Sequence, residues 1–369
     1  MSEKVRIGIV GLGFGSEFIP IYQNHPQAEM VAICQRNVDS LNQIGDAFGV
    51  EKRFTDYQEM LADPDIDAIH INTPIPAHAE QSIQALNAGK HCACTVPAAT
   101  NLEALKGIVR AQISSGKKYM MMETVVYARE YLYVKDLYDS GEMGRLQFLR
   151  GSHQQEMAGW PGYWEGLPPM HYATHCIGPL LALSGKLAES VVCHGSGRID
   201  EALILKNGSP FAIETATLSL KDSDVKAEVT RSLFNTARQY RESFDVYCSD
   251  VSWEWTLIEH EQSVLHRGED PERVSVPDFA DRLPEGIRKF TTKGVYDLSE
   301  NTHLSFKQGS GHGGSHPHLA HEFVSAIVED REPFPNAVQS ANWTAAGLCA
   351  HESAMRDGER VQIPDFLSL

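Results

Sequence analysis

The chain has 369 residues, which at about 150 residues per domain predicts two or three domains. Hydrophobic residues make up 42% and charged residues 22%, a globular composition that excludes a disordered, collagen-like or repeat protein. With 32 Lys and Arg against 49 Asp and Glu, the net charge is −17, which argues against nucleic-acid or anionic-membrane partners, since both need a positive field.

No stretch approaches the roughly 18 to 20 apolar residues of a membrane span. Met1-Ser2-Glu3-Lys4-Val5-Arg6 runs straight into a strand-like segment, with no leader pattern. The seven cysteines (Cys34, Cys92, Cys94, Cys176, Cys193, Cys248 and Cys349) are odd in number and scattered, and Cys92 and Cys94 are not spaced C-x-x-C. A cytoplasmic enzyme with reduced, inert thiols is the expectation.

In chain order, Val5–Val10, Met30–Cys34, Ala68–Asn72, His91–Cys94 and Tyr119–Met122 read as short strands. Helical patterns over Val38–Phe48, Tyr57–Ala62, Pro76–Ala88 and Leu102–Ser115 alternate with them. Gly49, Gly89 and Gly116 follow three of these as C-terminal caps. The alternation predicts an α/β, doubly wound parallel sheet. After the first strand comes Gly11-Leu12-Gly13-Phe14-Gly15-Ser16. Gly11 permits a tight turn, Gly13 lets the backbone approach a pyrophosphate, and the following helix offers free N–H groups. Ser16 holds the third glycine position of G-x-G-x-x-G, with Gly15 beside it; the plain reading is a strand-to-helix turn. The second strand closes on Gln35-Arg36-Asn37 instead of an acid, which leaves NAD and NADP both open.

From Val5 to about Glu123 the chain resembles the glucose–fructose oxidoreductase / inositol dehydrogenase / rhizopine-catabolism (Gfo/Idh/MocA) family. The matching residues are the GLGFG turn, Asn72-Thr73-Pro74 with His78, and Ala85-Leu86-Asn87-Ala88-Gly89-Lys90-His91. The resemblance implies a Rossmann domain over 1–125 and, over 126–369, an α+β domain with a large open, mostly antiparallel sheet for substrate and oligomer contacts. Strand-like runs at Gln147–His153, Ser190–Gly197, Ala212–Leu220, Val225–Leu233 and Ser243–Cys248 fit, with a hairpin across Lys221–Asp224. A helix pair, His318–Glu329 and Ala337–Arg356, closes the chain. A homodimer or homotetramer is implied by the resemblance.

Two departures matter. The family's Glu-Lys-Pro is Thr95-Val96-Pro97 here, so the lysine is gone, and its Asp-x-x-x-His reads His171-Tyr172-Ala173-Thr174-His175. Both resemble a subgroup that contains NAD-dependent α-N-acetylgalactosaminidases, as do Glu123–Arg129, Gly311–Gly314 and Val361–Phe366. The resemblance implies cofactor contacts at Gly11, Gly13, Phe14, Gly15, Gln35 and Arg36. It extends them to Asn72, Thr73, Pro74, His78, Thr95, Val96, Pro97 and Glu123, with a slight preference for NAD over NADP. It places Tyr127 at the substrate.

Oxidising a secondary alcohol by hydride transfer needs a base for the hydroxyl proton. His175 has an ordinary pKa near 6.5 and fits that role. If the segment after Pro168-Pro169 is helical, His171 and His175 share a face and Tyr172 sits near His175. All three are candidate catalytic residues; the plain reading is structural polar contacts. Trp160, Tyr163 and Trp164 beside glycines offer aromatic planes for sugar C–H faces, or core packing. His153, Gln154 and Gln155 close a strand into the same region, with His153 and Gln155 as substrate contacts. The run His312, His316, His318 and His321 is interrupted by Gly313, Gly314 and Pro317, and no H-E-x-x-H occurs. A sugar-contacting loop with His312 and His316 is preferred to a metal site. The pairs Asp222/Asp224 and Glu259/Glu261 read as solvated faces, not a two-carboxylate glycosidase.

The leading expectation is an NAD(P)-dependent dehydrogenase acting on a pyranose sugar or glycoside at C3, with His175 as base, Tyr172 assisting, and Thr95–Pro97 lining the nicotinamide pocket. The alternatives are a glycoside hydrolase or lyase that holds NAD and oxidises C3 transiently, and a cofactor-binding sugar sensor.

Overall fold

A computed structural model of the chain describes residues 4–238, 240–258, 261–292 and 312–369. The leader reading at Met1-Ser2-Glu3, Glu259 of the Glu259/Glu261 pair and Gly311 of Gly311–Gly314 lie outside the described residues. The chain forms two compact units. One comprises Met1–Tyr127, Asp278–Ala341 and Phe366–Leu369, the other Ala128–Pro277 and Asn342–Asp365.

In the first unit, β1 (Val5–Val10), β2 (Ala28–Cys34), β3 (Lys52–Phe54), β4 (Ala68–Ile71), β5 (His91–Thr95) and β6 (Tyr119–Met122) pair in parallel in the order β3-β2-β1-β4-β5-β6. This is the strand order of a doubly wound dinucleotide-binding sheet, with its switch point between β1 and β4. Edge strand β3 was not anticipated, because Lys-Arg-Phe lacks an apolar run. Short helices α1 (Leu12–Gly15) and α2 (Ile19–Asn24) follow the glycine turn. Then come α3 (Val38–Phe48), α4 (Tyr57–Ala62), α5 (His78–Asn87) and α6 (Leu102–Ser115). Asn37, Asp56 and Asn101 cap three of these with side-chain oxygens that accept from the first-turn N–H groups.

The expected single stretch 126–369 needs correction, because its later part completes the first unit. A parallel sheet must be covered on both faces. Ile7, Phe18, Ile21, Tyr22, Met120 and Met122 share one buried core with Leu283, Ile287, Phe290, Leu319, Phe323 and Val324. The last three lie on an additional helix of this unit, His316–Val328. Pro317 sits in that helix's first turn, where its missing N–H costs nothing, so it starts the helix and does not interrupt it.

The second unit holds a nine-stranded sheet. Its strands are β7 (Leu146–Gln154), β8 (Ala188–Ser196), β9 (Ile213–Leu220), β10 (Lys226–Ser232), β11 (Arg241–Cys248), β12 (Ser252–Glu254), β13 (Ser263–Arg267), β14 (Asp270–Val274) and β15 (Val361–Gln362). The order is β14-β13-β12-β11-β7-β10-β9-β8-β15, antiparallel except for the β7–β10 pair. The expected hairpin joins β9 to β10. Helices α7 (Arg129–Asp139), α8 (Thr174–Ser184) and α9 (Glu201–Asn207) belong here. In chain order the helix His316–Val328 is then α10, and Ala337–Met355 is α11.

Helix α8 lies on the inner face of β7, β10 and β11. It is buried all round from Thr174 to Leu183, as a helix without a polar face must be. A Cβ on Gly151 of β7 would stand 2.1 Å from the Cys176 carbonyl oxygen, so only glycine lets helix and strand approach this closely. The helix does not reach back to Pro168. Residues Pro169–Tyr172 form a separate 3-10 turn, and Ala173 (φ −108°, ψ 6°) breaks the path.

Candidate active site

The first unit carries the glycine turn. Gly11 has φ +85°, and a Cβ there would come within 2.5 Å of the Asn72 backbone. A Cβ on Gly15 would stand 2.9 Å from Ile9 and 3.0 Å from the Asn72 side chain, so Gly15 performs the close-packing task of the third glycine. The Gln35 side chain accepts from the Leu12 N–H at 3.3 Å, tying the end of β2 to the turn, while Arg36 is exposed. Asn72 Oδ1 is buried without a hydrogen-bond partner. This cradle, with an orphaned buried acceptor beside it, fits a dinucleotide.

His78 crosses under the adjoining loop. Its two ring nitrogens lie 2.8 Å from the Pro97 carbonyl and 2.7 Å from the Thr73 carbonyl, so both must donate. Burial pushes this imidazole down. Cys94 and the two carbonyls outweigh burial and hold it up at about 9. It is therefore an imidazolium at neutral pH, locking Thr73-Pro74 to Val96-Pro97. Thr95 Oγ1 donates to the Ile71 carbonyl at 3.1 Å. The fully buried Glu123 accepts from the Val125 N–H at 3.1 Å.

Two expected substrate contacts lie beside this turn. His316 packs on Phe14 with ring centroids 5.6 Å apart, and His312 Nδ1 and His316 Nε2 are 3.2 Å apart. His316 Nδ1 approaches Glu17 Oε2 at 3.1 Å. Burial pushes the Glu17 carboxyl well above its ordinary range, which keeps negative charge away from a turn built for phosphates. Tyr127, expected at the substrate, donates its hydroxyl to the Phe334 carbonyl at 2.8 Å, also within the first unit.

The second unit assembles a different site. His175, at the start of α8, places Nε2 3.1 Å from the Tyr172 hydroxyl and 3.8 Å from Glu242 Oε1. His153 Nε2 lies 3.8 Å from the same carboxylate oxygen, with its ring 5.2 Å from that of His175. Tyr240 donates to Glu242 Oε1. Burial, then the Glu242 carboxylate, pushes the Tyr240 phenol well above its ordinary value, so it stays a neutral donor. Arg231 is fully buried and donates to the carbonyls of Tyr172 (2.7 Å), His153 (3.1 Å) and Ser232 (2.8 Å) and to Gln155 Oε1 (3.0 Å). Its guanidinium lies 5.2 Å over the Tyr172 ring. Burial lowers it to about 10, so it remains charged at neutral pH. Trp164 packs edge-on against Tyr172 at 4.6 Å, with Trp160 and Tyr163 against Trp164 at 5.6 Å each.

His171 departs from expectation. The break at Ala173 removes it from the His175 face, and its ring packs 4.9 Å from His351 on α11. Burial, then His351, pushes it down to about 3, so it is neutral. His351 Nδ1 lies 2.6 Å from the fully buried Glu214, whose other oxygen accepts from the Met170 N–H at 2.8 Å. Thus the second unit gathers His153, Gln155, Trp160, Trp164, Tyr172 and His175, while His312, His316 and Tyr127 belong to the first, which carries the glycine turn.

Arg231, Glu242, Tyr240, Glu214 and His351 were not anticipated. The available signal was a charged side chain at an inward strand position: Arg231 continues the buried series Ala227, Val229. Asp222 and Asp224 are exposed turn residues. Among the described residues no cluster of three His, Cys, Asp or Glu side chains is placed to hold a metal ion.

A dinucleotide cradle in one unit and an imidazole–phenol–carboxylate cluster in the other define the class of an NAD-binding oxidoreductase fold. Residues 5–123 match the model of the GFO_IDH_MocA family, described as an oxidoreductase family with an NAD-binding Rossmann fold. It is 30% identical to an uncharacterized oxidoreductase of Rhizobium meliloti over 151 residues, which span 40% of this chain and 45% of that protein. It is 22% identical to an alpha-N-acetylgalactosaminidase of Shewanella oneidensis, covering 99% of this chain and 85% of that one. The fold matches levoglucosan dehydrogenase in complex with NADH and levoglucosan at a TM-score of 0.79 and 19% identity, covering 98% of this chain and 100% of that one.

Proposed function

We propose that the protein is an NAD(P)-dependent dehydrogenase that oxidises a secondary hydroxyl, at C3, of a pyranose sugar or glycoside. The observation that carries this reading is the 3.1 Å contact between His175 Nε2 and the Tyr172 hydroxyl, beside Glu242 and His153. The substrate hydroxyl gives its proton to Tyr172 while the Tyr172 proton passes to His175 Nε2. Arg231 fixes Tyr172 by holding its carbonyl, and Trp160 and Trp164 offer planes for the sugar's C–H face. The residues of the glycine turn, with Asn72, would hold the dinucleotide, which when bound supplies the acceptor for two electrons. NAD is preferred, because Arg36, the basic residue that follows β2, is exposed.

A second reading is favoured by the full-length similarity to an alpha-N-acetylgalactosaminidase. Here oxidation is transient, the aglycone leaves, and no cofactor is consumed. His153 with Glu242 then provides a second group able to exchange a proton. Purified protein is incubated with NAD⁺ or NADP⁺ and a panel of glycosides and free sugars. NADH with a 3-keto product by mass spectrometry supports the first reading. Aglycone release without net NADH overturns it in favour of the second. Bound cofactor with neither outcome overturns both and leaves a sugar sensor.

A further inference from the structure

Four neighbouring strands place ionisable side chains in one register row. Glu214 of β9 pairs with Arg231 of β10, Arg231 with His153 of β7, and His153 with Glu242 of β11. All four point to the core face, because residues two apart share a face and their neighbours Ala216, Val229, Leu149 and Phe244 are buried. Burying such a row is unfavourable unless each member is paired. The pairing runs along one segment. Glu214 holds the Met170 N–H, Arg231 the Tyr172 carbonyl, and Glu242 faces His175. Strands β9, β10 and β11 thus hold successive points of residues 170–175.

We propose that Glu242 is the positioning residue of the Tyr172–His175 pair, its carboxylate oxygen holding His175 and His153 in one arrangement and balancing the charge that either imidazole gains on taking a proton. This deepens the dehydrogenase reading and rests on its assignment of His175 as the proton acceptor. The substrate O–H bond breaks, the Tyr172 hydroxyl is re-formed with that proton, and a new N–H bond forms at His175 Nε2. The positive charge then lies 3.8 Å from Glu242 Oε1. The same oxygen serves His153, so one carboxylate compensates one imidazolium at a time. The groups facing the pair are Tyr172 from the 3-10 turn, His153 from β7 and Arg231 from β10. Glu242 and Tyr240 face it from β11 and its approach, and the Glu214–His351–His171 cluster lies further along the turn.

The test needs no substrate. The full chain is labelled with ¹⁵N-histidine, and ring nitrogens are titrated by NMR, with His175 and His153 assigned by the signals lost in His175→Asn and His153→Asn. Glu242→Gln lowers the midpoints of both rings by about 1 pH unit. Glu242→Asp restores most of the loss. Unmoved His175 and His153 midpoints in a folded Glu242→Gln protein overturn the proposal. If that variant does not fold, Tyr240→Phe keeps the carboxylate and strips its donor. Both midpoints then rise, and midpoints unchanged in Tyr240→Phe overturn the proposal equally. A protein that oxidises no sugar would sink the dehydrogenase reading and leave these midpoints as they are, so the two failures are told apart.

Discussion

The two functional regions are built in opposite ways. The glycine turn of the first unit is local: Gly11, Gly13, Phe14 and Gly15 all fall within the run 11–15, and their partner Asn72 follows the adjacent strand β4. The polar row of the second unit is nonlocal: its members come from β7, β9, β10 and β11, between residues 153 and 242. A turn's geometry is set by residues near in sequence, so a motif reports it. A row across a sheet is set by register, and a slip of one residue would turn every side chain to the other face.

The largest expected effect breaks the second region and spares the first. His175→Ala lowers turnover about 10²- to 10⁴-fold, the range general-base catalysis supplies, while cofactor affinity measured by calorimetry stays as in the wild type. Retained activity would remove His175 as the base. Gly151→Ala drives a Cβ against the Cys176 carbonyl, a backbone atom that cannot swing away. It destabilises by about 3 kcal/mol in denaturant unfolding, and a neutral result would mean that α8 sits further from β7 than described.

His78→Gln sharpens the contrast by pH. The folded imidazole titrates at about 9, above its ordinary value near 6.5. Its contribution is therefore fully present below about pH 6.5 and is lost as pH rises through about 9, in all about 3 kcal/mol. Stability curves at pH 6.5 and 9.5 should differ by that amount in the wild type beyond any difference in the variant. Gly11→Ala weakens NAD binding by about tenfold through strain at φ +85°, and leaves His175 and His153 NMR signals in place. Arg36→Ala has the smallest effect: it weakens NADP binding and leaves NAD binding alone, as paired titrations would show.

Much of the first unit was legible. Val5–Val10, Val38–Phe48, Tyr57–Ala62, Leu102–Ser115 and Tyr119–Met122 have the bounds the periodicity predicts. Apolar runs, N-caps and C-cap glycines are all short-range signals. The Tyr172–His175 contact forms although the two residues lie on separate elements, the 3-10 turn and α8. The pairing of His171 with His175 failed because a single residue, Ala173, leaves helical geometry. The placing of His312 and His316 at the sugar stays a proposal, and the contacts they make are to Phe14 and Glu17.

By itself the sequence determined the glycine turn and most of the strands, helices and caps of the first unit, because each depends on neighbours within one or two turns of chain. Only the tertiary structure decided that Leu283, Ile287, Phe290, Leu319, Phe323 and Val324 complete the first unit's core, and that Glu214, Arg231, His153 and Glu242 line up under residues 170–175. The physical reason is that an apolar sheet face accepts whichever segment covers it, and strand register joins residues far apart in sequence, 89 positions for His153 and Glu242 (242 − 153 = 89).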